Sequence, residues 1–194
     1  NLCQGRKPVI DIDGRLGVLL RNENIRAIAI DGGNRKWFGT DNGVYVVSAA
    51  VDRIDHHFRT DNSPLPHNSI NDIAIDPVSG EVFIATEEGL VSYRGEATEP
   101  ETPAVQPLAV FPNPVPPGFT GQIGIKHLPE NALVRITTLS GRLIYEGRSL
   151  GGQFVWNRSD QDGRKVASGI YLVFATQDRS LSPFTQVGKI FILD

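Results

Sequence analysis

The sequence predicts an all-β chain of two modules, and three observations predict it. First, 20 Gly and 13 Pro punctuate short runs rich in Val, Ile and Thr, the composition of strands joined by tight turns. Second, a block that starts at Asn24 recurs at Ser69, 45 positions on. Third, the last part of the chain holds seven short apolar blocks separated by turn residues. At 194 residues, with 40% hydrophobic and 21% charged residues, the chain is long enough to fold and to fill two ordinary cores.

The repeat comes first in chain order. Asn24-Ile25-Arg26-Ala27-Ile28-Ala29-Ile30-Asp31 is matched by Ser69-Ile70-Asn71-Asp72-Ile73-Ala74-Ile75-Asp76. Past a turn, Trp37-Phe38-Gly39-Thr40-Asp41-Asn42-Gly43-Val44 is matched by Phe83-Ile84-Ala85-Thr86-Glu87-Glu88-Gly89-Leu90. A unit of this length made of several short strands is a β-propeller blade, not a helical repeat. In each unit the Ile- and Ala-rich segment predicts an inner strand buried on both faces between neighbouring blades, with Ala admitting close sheet packing. Asp31-Gly32-Gly33-Asn34 and Asp76-Pro77-Val78-Ser79-Gly80 supply the first hairpin turn, and Asp41-Asn42-Gly43 the second. Residues 1 to 20, in which 9 to 20 alternate around Asp13-Gly14, are expected to hold an outer strand or two of a preceding blade. Residues 1–93 are thus expected to form the C-terminal part of a propeller, about two blades. Since about 4 to 8 blades close a ring, the missing propeller blades are expected from the same full-length protein. The absence of Met and the start at Asn1 fit a processed product or a fragment.

Residues 94–107 are rich in Pro, Glu and Thr, lack a hydrophobic period, and predict a semi-extended linker. The last module, 108–194, has apolar blocks at 108–111, 122–125, 133–139, 142–147, 153–156, 169–175 and 188–193. Seven short strands at this spacing predict an immunoglobulin-like β-sandwich, with Trp156 and Tyr171 in its core.

Two resemblances follow from these residues. The paired blocks, together with the lead-in Phe58-Arg59-Thr60-Asp61-Asn62-Ser63-Pro64-Leu65-Pro66-His67-Asn68-Ser69-Ile70, resemble the two-component-regulator propeller repeat. In the last module, Phe111-Pro112-Asn113-Pro114, Leu128-Pro129-Glu130-Asn131-Ala132, Leu139-Ser140-Gly141-Arg142-Leu143, Trp156-Asn157, Asp162-Gly163-Arg164, Ser168-Gly169-Ile170-Tyr171 and Gly188-Lys189-Ile190 occur in order. That succession resembles the C-terminal sorting domain of type IX secretion substrates. The resemblance implies a secretion-signal motif on Pro112, Asn113, Pro114, Gly141, Gly169, Tyr171, Gly188, Lys189 and Ile190, with the last strand, Lys189 to Asp194, recognised during translocation. The chain ends on Ile192-Leu193-Asp194, where that family often ends on a basic residue, a departure from an ordinary cleaved cargo.

The pairing of such a propeller with such a module resembles a surface component of the type IX attachment complex. It implies an exported protein of the outer membrane or cell surface whose partners are the secretion machinery, its sortase and anionic lipopolysaccharide. Two alternatives remain open: a secreted cargo, adhesin or enzyme elsewhere in its chain, whose sorting domain is cleaved; and the periplasmic sensor propeller of a hybrid two-component system.

For chemistry the residues nominate nothing, so no enzyme activity, no metal and no cofactor are expected. A net charge of −3 lacks the clustered cations that nucleic-acid binding requires. Cys3 is the one cysteine, which excludes an internal disulfide. His56 and His57 point to opposite faces of an extended segment, and His67 and His127 stand apart from them. Asp11-Ile12-Asp13-Gly14 and Asp160-Gln161-Asp162-Gly163 lack the spaced ligands and distal Glu of a calcium loop and read as turns. No nucleophile elbow and no phosphate loop occur.

Overall fold

Every helix or strand among the described residues is a strand, sixteen in all. The computed structural model describes residues 7–12, 15–100, 106–177 and 184–194, so Cys3 and Asp13-Gly14 lie outside the described residues. The chain divides into two units, Asn1–Gly95 and Glu96–Asp194.

The first unit is a partial propeller. A two-stranded ribbon, β1 (Val9–Ile12) and β2 (Arg15–Val18), precedes a four-stranded meander of β3 (Ile25–Ile30), β4 (Lys36–Thr40), β5 (Gly43–Val47) and β6 (Ile54–Phe58). The second meander, β7 (Ile70–Ile75), β8 (Glu81–Thr86) and β9 (Gly89–Arg94), repeats the first three strands of the first. The repeat extends to register: in one blade Ile28 pairs with Phe38 and Phe38 with Tyr45, and in the next Ile73 pairs with Ile84 and Ile84 with Val91. Both inner strands even carry their bulge at the same place, between Ile25 and Ala27 and between Ile70 and Asp72.

The two meanders share one core of Ala27, Trp37, Val44, Val46, Leu65, Ile70, Ile73, Val82 and Ile84. Small residues permit it, as expected: Ile70 lies so close over Gly39 and Ala27 that a Cβ on Gly39 would meet Ile70 Cγ2 at 2.6 Å. The expectation that β3 is buried on both faces is corrected. Ala27 is buried, but Ile28 and Ile30 on the other face are 62% and 59% exposed. A blade buries its second face only against a preceding blade, and of that blade the described residues hold only the ribbon β1–β2.

Blade one has its outer strand, and the described residues show none for blade two, so equivalent glycines meet different surroundings. Gly43 and Gly89 both adopt positive φ, 107° and 134°, a region that costs a side chain about 1–3 kcal/mol. A Cβ on Gly43 would also stand 2.1 Å from the carbonyl oxygen of Phe58 on β6, whereas one on Gly89 meets nothing within 4 Å. Gly43→Ala is therefore expected to lower the urea midpoint of the first unit clearly more than Gly89→Ala.

The second unit is a two-sheet sandwich. One sheet orders β10 (Ala109–Phe111), β11 (Ile123–Lys126) and β14 (Gln153–Trp156); the other orders β13 (Leu143–Arg148), β12 (Leu133–Thr138), β15 (Gly169–Gln177) and β16 (Phe184–Ile192). Alternation along each strand sends Ile123, Ile125, Val134, Ile136, Val173, Ala175 and Ile190 inward, all fully buried around Trp156. Burial of each large apolar side chain contributes about 1.5–3 kcal/mol. The last strand begins at Phe184, earlier than the apolar block from Gly188 indicates, because its first residues alternate exposed and half-buried positions along β15.

The described end of the expected linker is not a free spacer. Ala97 and Thr98 are buried, and the N–H of Gly152 donates to the carbonyl of Thr98 at 2.8 Å.

Candidate recognition surface of the second unit

The segment that leaves β10 builds this surface. Asn113 crosses onto the outer edge of β16 and substitutes for a strand with its side chain. Its Nδ2 donates to the carbonyl of Lys189 at 2.9 Å, and its Oδ1 accepts the N–H of Phe191 at 2.9 Å. Those two groups flank Ile190 on an edge that would otherwise present bare donors and acceptors. Val115 continues the contact in parallel, donating to the carbonyl of Phe191 at 2.7 Å and accepting from the N–H of Leu193 at 3.0 Å. Pro112 and Pro114 bracket Asn113, and both of their peptide bonds are cis.

The fold then gathers the other motif residues at this end of the four-stranded sheet. Ile190, fully buried, lies opposite Tyr171, which lies opposite Thr138 at the mouth of the β12–β13 turn. Gly141 sits in that turn and donates its N–H to the Thr138 carbonyl at 3.0 Å. Gly169 pairs with Ile192, and Gly188 lies against Leu108 and Val110, with room for a Cβ only at van der Waals distance. Lys189 is exposed on the outer face. Tyr171 turns its ring edge toward Trp156 at 5.9 Å and donates its hydroxyl to the Ala167 carbonyl at 2.7 Å. Burial raises its pKa, with the Arg142 cation opposing.

Beside Tyr171 opens a basin of about 450 Å³ lined by Arg142, Asp160, Asp162, Arg164 and Lys165. Its acidic residues are committed. Asp160 Oδ1 accepts the N–H groups of Asp162 and Arg164 at 3.0 and 2.9 Å, and Asp162 pairs with Arg164 at 2.8 Å. Lys165 donates to the Asn157 carbonyl at 2.6 Å. Arg142 has no ion-pair partner among the described residues. The basin unites the Ser-Gly-Arg, Asp-Gly-Arg and Gly-Ile-Tyr motifs, a convergence that sequence order did not reveal, because it depends on how the β12–β13 turn folds over the loop after β14.

The clamp predicts a measurable effect. Asn113→Ala removes two hydrogen bonds, each contributing about 1 kcal/mol, and is expected to lower the melting point of the second unit and to speed amide exchange at Phe191. Asn113→Asp retains the acceptor and should fall between.

The histidines take separate places. His57 stacks on Tyr45 with centroids 3.8 Å apart, His56 stacks on Phe58 with centroids 5.5 Å apart, and His67 faces Glu87. His127 meets the Pro107 carbonyl at 2.9 Å. Among the described residues no three His, Cys, Asp or Glu side chains group as metal ligands, and no helix is long and apolar enough to cross a membrane.

No protein-family model matches the sequence, and no curated protein matches it. Among solved structures, PorZ of Porphyromonas gingivalis, described as an essential bacterial surface component of the type IX secretion system, superposes with a TM-score of 0.61 at 28% identity over 97% of this chain. The chain resembles PorZ. It spans 25% of the PorZ chain, so what the whole of PorZ does is not carried over by that match. Dimeric latent PorU of Porphyromonas gingivalis matches 58% of this chain and 12% of its own at 17% identity and a TM-score of 0.35. The extracellular domain of a B. thetaiotaomicron protein described as a hybrid two-component system matches 93% of this chain and 27% of its own at 14% identity and a TM-score of 0.33. Of these three, the likeness to PorZ alone is close enough to reason from, and it takes in both units.

Proposed function

We propose that the chain is the C-terminal part of an exported, non-enzymatic surface component of a type IX secretion system. In this reading residues 1–93 contribute about two blades to a larger propeller, and 108–194 form an immunoglobulin-like sorting module that stays attached and serves as both signal and binding module. The observation that carries it is the likeness to PorZ across 97% of the chain, both units included. The open faces of the blades fit the propeller reading: Ile28 and Ile30 on one and Leu90 on the other are more than half exposed, apolar surface that a neighbouring blade would cover.

The partners of this reading are the secretion machinery, its sortase and anionic lipopolysaccharide. The basin supports the last of these, since Arg142, Arg164 and Lys165 line it and the two acidic groups are already engaged. An anionic sugar or phosphate group would meet Arg142 without displacing a carboxylate, with Lys165 beside it and Arg164 held by Asp162.

Intact mass spectrometry of the native full-length protein released from the cell surface is the test. A mass that includes residues 108–194 is the expected result. Loss of the module would instead make the protein a secreted cargo whose activity lies outside these residues and overturn the proposal. With the module present, Arg142→Ala and Lys165→Ala are expected to weaken binding to anionic lipopolysaccharide vesicles while thermal melting stays unchanged.

A further inference from the structure

We infer that residues 96–99 are a docked strap that withholds the backbone at the start of the second unit from endoproteases. The inference deepens the reading of a retained module by naming one stretch before it that its own fold protects.

The strap is built in. Ala97 is 2% exposed and Thr98 5%. Thr98 bridges in parallel to Gly151, and its carbonyl accepts the Gly152 N–H at 2.8 Å. The receiving loop is itself anchored: Ser149 donates its N–H to Ala132, Ser149 Oγ donates to Pro129, and Leu128 donates its N–H to the carbonyl of Gly152 at 3.0 Å. Glu99 lies so close over Gly152 that a Cβ there would stand 2.2 Å from the Glu99 carbonyl oxygen and 2.9 Å from Thr98 Oγ1. Only glycine at 152 leaves the strap its seat.

An endoprotease that takes its substrate as an added strand needs that segment's backbone carbonyls and N–H groups and its alternate side chains. Here the Thr98 carbonyl is already bonded and the Ala97 side chain is already buried. Cleavage therefore requires prior undocking, and its rate falls with the small fraction of time the strap spends open.

The test uses the purified full chain and a protease that cuts after Glu, followed by mass spectrometry. It reads the Glu96–Ala97 bond, with cuts after Glu130 and Glu146 reporting unfolding of the sandwich. In the parent chain the Glu96–Ala97 bond is expected to be cut at least about tenfold more slowly than in Gly152→Val or Ala97→Asp. The bonds after Glu130 and Glu146 should stay intact in Ala97→Asp, which alters the strap alone and keeps the test valid if Gly152→Val fails to fold. Equal cutting at Glu96–Ala97 in parent and Ala97→Asp overturns the inference. So does cutting at Glu96 that appears only together with cuts after Glu130 and Glu146, because the strap would then be no independent element. The digestion needs no secretion machinery, so a module lost from cells despite a protected strap would sink the retention reading and leave the strap standing.

Discussion

Asp31→Ala is expected to unfold the first unit. Asp31 is 6% exposed, and its carboxylate holds four groups. Oδ1 accepts the N–H of Gly33 and of Arg35, both at 3.0 Å, while Oδ2 accepts Arg35 Nε at 2.8 Å and Trp37 Nε1 at 2.9 Å. The facing Arg35 is 4% exposed and Trp37 1%. Deleting the carboxylate strips a buried guanidinium of the anion that faces it and the indole N–H of its acceptor. Breaking one side of such a buried pair costs about 3–5 kcal/mol, against about 5–15 kcal/mol for a whole domain. Hydrogen exchange resolved by peptide should show β3 to β6 losing protection, with the urea transition of this unit moved to low denaturant or gone. The carboxylate of Asp76, the equivalent residue in the next blade, accepts turn bonds from the Val78 N–H and the Ser79 hydroxyl, and the Ser79 hydrogen bond holds its pKa below the usual value. Asp76→Ala is expected to shift the transition far less, and equal effects would refute the special role of the buried pair.

The second large effect lies in the last strand, where neighbouring residues should separate scaffold from signal. Ile190 is 0% exposed and packs in the sandwich core opposite Tyr171. Ile190→Asp places a carboxylate among apolar side chains with no designed partner, a change worth about 4 kcal/mol or more. The second unit should lose its cooperative melt, and Trp156 emission should move to the wavelength of a solvated indole. Lys189 is exposed, so Lys189→Ala should leave stability within about 0.5 kcal/mol of the parent. If the secretion machinery reads side chains on this strand, Lys189→Ala lowers surface display while the fold is intact. Unchanged display would locate the signal in the folded scaffold and not in Lys189.

The histidine and acidic turn motifs follow the same division between local and distant causes. Asp160 caps its own turn because its acceptors and donors lie within four residues, and such chemistry is legible in a short segment. The strap was not legible. A stretch of Pro, Glu and Thr carries no hydrophobic period, and nothing local says that Thr98 and Glu99 will meet two glycines more than fifty residues on.

The sequence by itself determined the strand content, the repeat, the seven strands of the second unit, and the inward placement of Trp156 and Tyr171. All of these follow from period-two alternation, turn residues and apolar runs, which act over a few neighbours. Only the tertiary structure decided which faces of the blades stay open, that Asn113 serves as an edge strand for residues 76 and 78 positions away, that Arg142, Arg164 and Lys165 share a basin, and that the expected spacer is docked. Each of these is a meeting of segments far apart in the chain. What fixes it is space and unsatisfied backbone groups at a sheet edge, properties that exist only once the sheets have formed.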